Sequence, residues 1–489
     1  MTELQTPGSL VDTYQLYIDG RWVEPEDGRY DDINPATEQS IGTAPDASVA
    51  QVGVAIDAAR RAFDAGPWGR MGPDERAGCL NQLGDALLKH ADEIFALSQV
   101  EWGCVANERM MQIDGAGYMS MHAAQLATKL IEEPVTGIGA GTTVLRREPL
   151  GVVSILTPWN FPHCLNVMKV NNALAAGNTV VLKPSPLTPL AGLALARIID
   201  EETDIPPGVV NVVTPSSLEA AKLLTTDPRI DMISFTGSSA VGCEVMRAAG
   251  DAMKRLLLEC GGKSASIILD DTQVTDEMLQ QMLFDCCSLH AGQACILHSR
   301  LLLPDSLHDD VVDRLVALAR GVKVGDPTDP TVQMGPLISA AQRERVQAHV
   351  DGAVDDGAVL ATGGGRPAGL DVGYYFEPTI LTGVQPDSTI AQEEVFGPVL
   401  SVLRYRDDED AVAIANNSCY GLSGAVWGND VDRALGVARR MRTGQVAVNG
   451  IGPGDAPFGG FKLSGFGRES GGISGLHQYM EVKAIGIPA

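Results

Sequence analysis

Five short runs of β-branched and aliphatic residues, separated by longer stretches with helical spacing, constrain this chain most. They are Val152-Val153-Ser154-Ile155-Leu156, Val180-Val181-Leu182, Val209-Val210-Asn211-Val212-Val213, Met232-Ile233-Ser234-Phe235 and Ile267-Ile268-Leu269. Strands that alternate with helices in this way form a parallel, doubly wound sheet, so the fold class is α/β. Upstream, Val49 to Phe63 and Glu75 to Val100 are rich in Ala and Leu at helical spacing, and Pro73-Asp74-Glu75 marks a helix start. These helices are expected to cover the sheet.

A chain of 489 residues exceeds what one hydrophobic core supports, so two large lobes and a minor element are expected. The second lobe runs from about Lys263 to Ser470, with helices such as Asp276 to His290 and strands such as Ser299 to Leu303. Pro134 to Arg147, rich in Gly, Thr and Val, reads as a β-hairpin. A two-stranded hairpin is marginal alone, and the run Gln478 to Ile485 has the composition of a strand that could pair with it.

The net charge of −26 argues against nucleic-acid or anionic-membrane partners. No apolar run is long enough to span a bilayer, and Met1 to Gln5 does not open a signal peptide, so a cytoplasmic location is expected. The nine cysteines, an odd number, fit reduced thiols rather than a disulfide framework. Cys286, Cys287, His290, Cys295 and His298 cluster in sequence, but their spacing matches no standard zinc pattern and no metal is expected.

Three local sequences carry chemistry. Gly292-Gln293-Ala294-Cys295 offers a thiol, Leu258-Glu259-Cys260-Gly261-Gly262-Lys263 a carboxylate, and Pro158-Trp159-Asn160-Phe161-Pro162 an amide donor in a proline-framed loop. Taken singly, Cys295 reads as an inert core cysteine, Glu259 as a solvated charge and Asn160 as a turn former. Taken together they supply a nucleophile, a base and an oxyanion donor for covalent chemistry on an aldehyde, provided the site lowers the thiol pKa.

The combination resembles the aldehyde dehydrogenase superfamily. Val181-Leu182-Lys183-Pro184-Ser185, Phe235-Thr236-Gly237-Ser238-Ser239-Ala240-Val241-Gly242, Glu393-Glu394-Val395-Phe396-Gly397-Pro398 and Pro457-Phe458-Gly459-Gly460-Phe461-Lys462-Leu463-Ser464-Gly465 stand in the family's order beside the first three motifs. The resemblance implies two Rossmann-like α/β lobes and a small β oligomerisation element. Residues 1–132 and 150–262 would be the cofactor-binding domain, 263–470 the catalytic domain, and 133–149 with 471–489 the oligomerisation element of a homodimer or homotetramer.

It also implies that Cys295 attacks the aldehyde while Asn160 holds the oxyanion. Hydride would leave to a nicotinamide cofactor, and Glu259 would activate water to hydrolyse the thioester. Lys169 matches a family lysine linked to proton transfer; its bland alternative is a solvated surface cation. Cofactor contacts would fall to Thr157, Trp159, Lys183, Gly237, Ser238, Glu394 and Phe396. NAD is the expected cofactor, with NADP left open, because the position three after Lys183, often an NAD-selecting glutamate in relatives, is Pro186. Two further departures are the adenine-side loop Thr214-Pro215-Ser216-Ser217 and Gly471-Gly472, which replaces an acidic residue found in some relatives.

By the same alignment Phe161, Cys164, Met168 and Phe458 line the substrate tunnel, and the loop Gly450 to Ala456 leaves room for a large substituent. None of the four is cationic, which favours a medium to bulky apolar aldehyde over a semialdehyde. Arg109, in the bordering helix around Glu108 to Tyr118, is the cation a semialdehyde could use. Transfer of the acyl group to coenzyme A is the other alternative, and the presence of Glu259 argues against it. His163 is expected to pack or hydrogen-bond rather than to catalyse.

Overall fold

The computed structural model describes residues 14–129, 132–135 and 141–488. The β-branched runs are strands. Arg255–Glu259, Met232–Thr236, Val152–Leu156, Thr179–Lys183 and Val210–Val212 lie side by side in that order, all parallel. The middle three are almost wholly buried, because helices pack on both faces and apolar side chains on either face lose water. Their sequence order reverses between Val152–Leu156 and Met232–Thr236. That reversal opens a crevice at the carboxyl ends, where an open α/β sheet binds its ligand.

Both edges of this sheet differ from a purely parallel reading. Leu16–Ile18 pairs antiparallel with the Val210–Val212 edge and forms a hairpin with Arg21–Val23. Its two turn residues, Asp19 and Gly20, have φ of 55° and 71°, the left-handed pair that a tight hairpin turn needs. At the other edge Gly465–Phe466, inside the stretch expected to close the second lobe, pairs antiparallel with Arg255–Glu259.

The second sheet runs Val359–Thr362, Thr379–Thr382, Val399–Tyr405, Arg300–Pro304, Ala265–Ile268, Gly424–Trp427 and Ala447–Val448, antiparallel only at its first strand. A third sheet joins Glu133–Val135, Thr142–Pro149 and Met480–Ile487, all antiparallel. Both arms of the expected hairpin and the C-terminal strand are therefore present and paired; the turn at 136–140 lies outside the described residues.

Two expected helices are interrupted. The stretch Glu75 to Val100 is two helices, Pro73–Lys89 and Ala91–Glu101, which break at His90, whose ring contacts Glu93 at 3.1 Å and Glu202 at 3.3 Å. Asp276 to His290 is α-helical over Asp276–Leu283 and widens into a π-helix over Phe284–Ser288 before it ends. Thereafter His290, Ala291 and Gly292 are all left-handed, with φ of 47°, 51° and 76°. Left-handed backbone costs a non-glycine residue roughly 1–2 kcal/mol, and here the chain adopts it immediately before Cys295. Among the described residues no helix is long and apolar enough to cross a membrane.

Candidate active site

The left-handed turn brings Cys295 to the crevice, and several bonds hold it there. The N–H of His290 donates to Glu108 Oε1 at 2.6 Å, and the Gln293 amide donates to His290 O while accepting from Ile338 N–H at 2.8 Å. Gly292 packs so closely on Gly397 that a Cβ there would lie 2.0 Å from the Gly397 carbonyl carbon. With φ also positive, only glycine fits.

Cys295, Glu259 and Asn160 come from three separate stretches and line one cavity of about 980 Å³. The Asn160 amide donates to Gln293 O at 2.8 Å, which fixes its orientation and leaves its second N–H available. Both carboxylate oxygens of Glu259 are buried without a hydrogen-bond partner. Burial, then the charge of Glu469, hold the Glu259 carboxyl well above the usual carboxylate range, partly opposed by Lys169 and Arg468. Such a carboxyl stays protonated at pH values where an exposed glutamate is ionised, and it can act as a general base only once it has given that proton up.

The expected lowering of the Cys295 pKa is not found. Burial pushes the thiol up to about 12, and Glu394 and Glu259 push the same way. The backbone N–H groups of Cys295 and Ile296 oppose them. The sulfur is therefore a protonated thiol in this arrangement and needs a base or an added positive charge to become a nucleophile.

Lys169 is no surface cation. It is fully buried, and its ammonium donates to Glu469 Oε1 and Oε2 at 2.9 and 3.1 Å and to Ser234 Oγ at 3.1 Å. Glu469 lines the cavity together with Glu259, and Lys169 lies behind it.

The expected cofactor residues divide into two groups. Trp159, Gly237, Ser238, Glu394 and Phe396 line the cavity, with Trp159 and Phe396 meeting edge to face at 5.2 Å. Ser238 caps the helix Ser239–Gly250, whose amino end opens beside the crevice. Thr157 and Lys183 end adjoining strands outside that lining. Thr157 donates its hydroxyl to Asn166 at 2.6 Å, and burial brings the Lys183 ammonium down to about 8, with one contact, to Pro184 O at 3.2 Å. A helix amino end at the crevice and, two strands away at a carboxyl end of the same sheet, an ammonium with a single contact fit a dinucleotide. Glu394 is pushed up to about 7 by burial and accepts from Gly262 N–H at 2.8 Å, bridging the two lobes. A Cβ on Gly261 would lie 2.2 Å from that carboxylate.

Phe161, Cys164, Met168 and Phe458 all line the cavity, and Met111, Tyr118 and Met119 extend its apolar wall to the surface. Gly454, Asp455 and Ala456 form part of the mouth, where Asp455 approaches His122 at 3.1 Å. Arg109 does not line it. Its guanidinium pairs with Asp92 at 2.7 Å and Asp114 at 3.2 Å and lies over the Phe95 ring. His163 is buried with neither ring nitrogen bonded, and burial lowers it to about 4, as suits a packing residue. Among the described residues no group of three or more His, Cys, Asp or Glu could hold a metal ion, and all nine cysteines are unpaired.

Sequence reading missed the place of Glu469 in the cavity wall, and behind it the contacts of Ser234 with Lys169 and of Glu108 with His290. Only Glu469 had a local signal, its place directly after Gly467-Arg468 near the last family motif.

Comparison with known proteins agrees with this geometry. A model described as "Aldehyde dehydrogenase family" matches residues 22–485. A 3-succinoylsemialdehyde-pyridine dehydrogenase from a Pseudomonas species is 41% identical, covering 97% of this chain and 99% of its own length. A betaine aldehyde dehydrogenase from Bacillus subtilis is 37% identical, covering 96% of both. The crystal structure of a Mycobacterium tuberculosis aldehyde dehydrogenase complexed with NAD+ superposes with a TM-score of 0.94 at 40% identity, covering 98% of this chain and 99% of that one. With two α/β sheets meeting at a crevice that holds a thiol, a carboxylate and an amide, and with matches over nearly its whole length, the chain belongs to the aldehyde dehydrogenase family of oxidoreductases.

Proposed function

We propose that this enzyme oxidises a medium to bulky apolar aldehyde to the free carboxylic acid through a thioester on Cys295. The convergence of Cys295, Glu259 and Asn160 on one cavity carries the reading. The Cys295 sulfur, once deprotonated, bonds to the carbonyl carbon. The carbonyl oxygen becomes an oxyanion held by the Asn160 amide and the Cys295 N–H. NAD, when bound, supplies the acceptor for the hydride that leaves this tetrahedral carbon. Glu259 then takes a proton from water as its oxygen bonds to the thioester carbon; the carbon–sulfur bond breaks, and the electron pair stays on Cys295.

Residues 1–132 and 150–262 serve as the cofactor domain and 263–470 as the catalytic domain. The three-stranded sheet formed from residues within 133–149 and 471–489 exposes Val135, Val482, Ile485 and Ile487, a surface suited to a homodimer or homotetramer. NAD is favoured by the NAD+ complex of the similar mycobacterial enzyme.

The apolar preference rests on the wall of Phe161, Met168, Met111 and Phe458 and on the pairing of Arg109 away from it. Among the described lining residues Arg345 is the single arginine and there is no lysine. Its guanidinium donates to Glu394 O at 2.8 Å, at the cofactor end. A semialdehyde, the substrate type named for the 41% identical relative, is the second reading, and its carboxylate would have to remain in water at the mouth.

The test is NADH production from aliphatic, aromatic, terpenoid and semialdehyde substrates with NAD and NADP, each with and without coenzyme A. Free acid formed independently of coenzyme A supports the hydrolytic reading; strict dependence on coenzyme A overturns it.

A further inference from the structure

Glu259 stands in front of a closed polar network that reaches the C-terminal strand. Lys169 binds both oxygens of Glu469 and the hydroxyl of Ser234. Ser234 Oγ lies 3.1 Å from the hydroxyl of Tyr479, and that hydroxyl donates to Glu469 Oε1 at 3.3 Å. All four side chains are buried, with Tyr479 at 0% exposure. The ring of contacts therefore closes on itself, and each member's direction is set by its two neighbours in it. Tyr479 is itself anchored, because its carbonyl accepts from the Asn178 amide at 2.9 Å and the next residue, Met480, begins the strand paired with Thr142–Pro149.

We propose that Tyr479 is a positioning residue for the hydrolytic half-reaction: its hydroxyl, with that of Ser234, fixes the Lys169–Glu469 pair behind Glu259 and so makes the C-terminal strand a buttress of the base. This rests on the hydrolytic reading above. When water is split, Glu259 receives one proton while the acyl carbon gains the hydroxyl oxygen and loses sulfur. The base must hold its orientation through that transfer and then give the proton up. Both oxygens of Glu259 are unbonded, so its surroundings are set by the charges behind it, and of those Glu469 and Lys169 are held in place by Tyr479 and Ser234. Formation of the thioester, on the Cys295 and Asn160 side, does not require this ring of contacts.

Tyr479→Phe removes one hydroxyl from the ring and leaves the packing volume. Ser234→Ala does so independently from the sheet side. In single turnovers with enzyme in excess, NADH formation and the lifetime of the acyl-enzyme, read by acid quench and intact-protein mass, separate the two half-reactions. NADH formation within about twofold of wild type is expected in both variants, with an acyl adduct living three- to tenfold longer. The double variant should be no worse than the more affected single one, as for groups acting as a unit.

A parallel fall in both half-reactions, or adduct lifetimes equal to wild type, would overturn the proposal. Wild-type enzyme that forms neither NADH nor an adduct would instead sink the thioester reading itself. If Tyr479→Phe does not fold, Ser234→Ala decides by the same two readouts.

Discussion

The two ends of the cavity are built on opposite plans. Around Cys295 nearly every group is specified several times over: a left-handed backbone, a glycine pressed on Gly397, and bonds from Glu108, Gln293 and Ile338. At the mouth, Met111, Tyr118 and Met119 are exposed apolar side chains, and the loop Gly450 to Ala456 has three glycines among its seven residues. Chemistry requires a geometry held within a fraction of an ångström, whereas accommodating an apolar chain requires area and volume, which flexible methionines supply without fixed contacts. Changes at the inner end should therefore alter rate steeply, and changes at the mouth should redistribute preference.

The largest effect expected is at the sulfur. Cys295→Ala removes the group that forms the thioester and should abolish aldehyde oxidation while circular dichroism and cofactor binding stay unchanged. Activity within tenfold of wild type would end the covalent mechanism.

Glu259→Gln keeps size and removes the base, a role worth about 10²–10⁴-fold. A rapid burst of NADH followed by a slow steady state is expected, and loss of both phases together would show that Glu259 chiefly activates Cys295. The pH dependence follows from the same group. Because burial raises Glu259, it is protonated and idle at pH values where an exposed glutamate is already ionised. Hydrolysis of the acyl-enzyme should then rise with pH along a limb well above the ordinary carboxylate range, a limb that Glu259→Gln removes. A limb at the ordinary position would assign the base elsewhere.

Much of this was legible in the sequence, for reasons that differ between regions. Cys295, Glu259 and Asn160 each sit in a compact local motif, and although each alone reads as inert, the three motifs together point to one chemistry without any knowledge of their neighbours in space. The strand runs were legible because a parallel sheet buried on both faces is written as uninterrupted apolar residues. The Lys169–Glu469–Tyr479–Ser234 ring was not, since it joins residues up to 300 positions apart and no local pattern marks it. Nor was the direction of Arg109, which is decided by Asp92 on another helix. The Leu16–Ile18 hairpin did carry a signal, the Asp19-Gly20 pair, which a search for helices and parallel strands passes over.

Smaller effects test the mouth. Two methylene-sized apolar contacts at about 0.8 kcal/mol each correspond to about tenfold in kcat/KM. Hexanal or a bulky aromatic aldehyde should exceed succinate semialdehyde by about that factor. A clear preference for the semialdehyde would mean that a cation reaches the tunnel after all and would break the contrast between the two ends.

The smallest expected effect lies outside both. Pro186 is exposed, three positions after Lys183. A carboxylate there would accept a ribose hydroxyl and repel a 2′-phosphate, so Pro186→Glu should raise the NAD over NADP ratio by about threefold to tenfold, the scale of one net hydrogen bond. An unchanged ratio would move the discrimination to Thr214 to Ser217.

The contact between Gly292 and Gly397 has a consequence for how this enzyme can be changed. Gly397 in turn presses on the helix Ala340–Asp355, where its own Cβ would lie 2.4 Å from Val346 Cγ2. Three segments distant in sequence are thus stacked with no slack, like shims under the nucleophile. A library that varies the mouth can explore freely, but one that enlarges any member of this stack moves the sulfur, and restoring activity would then require a compensating reduction in another member. Directed evolution for new substrates should accordingly collect its substitutions at Met111, Tyr118, Met119 and the Gly450 to Ala456 loop, and leave this column of small residues untouched.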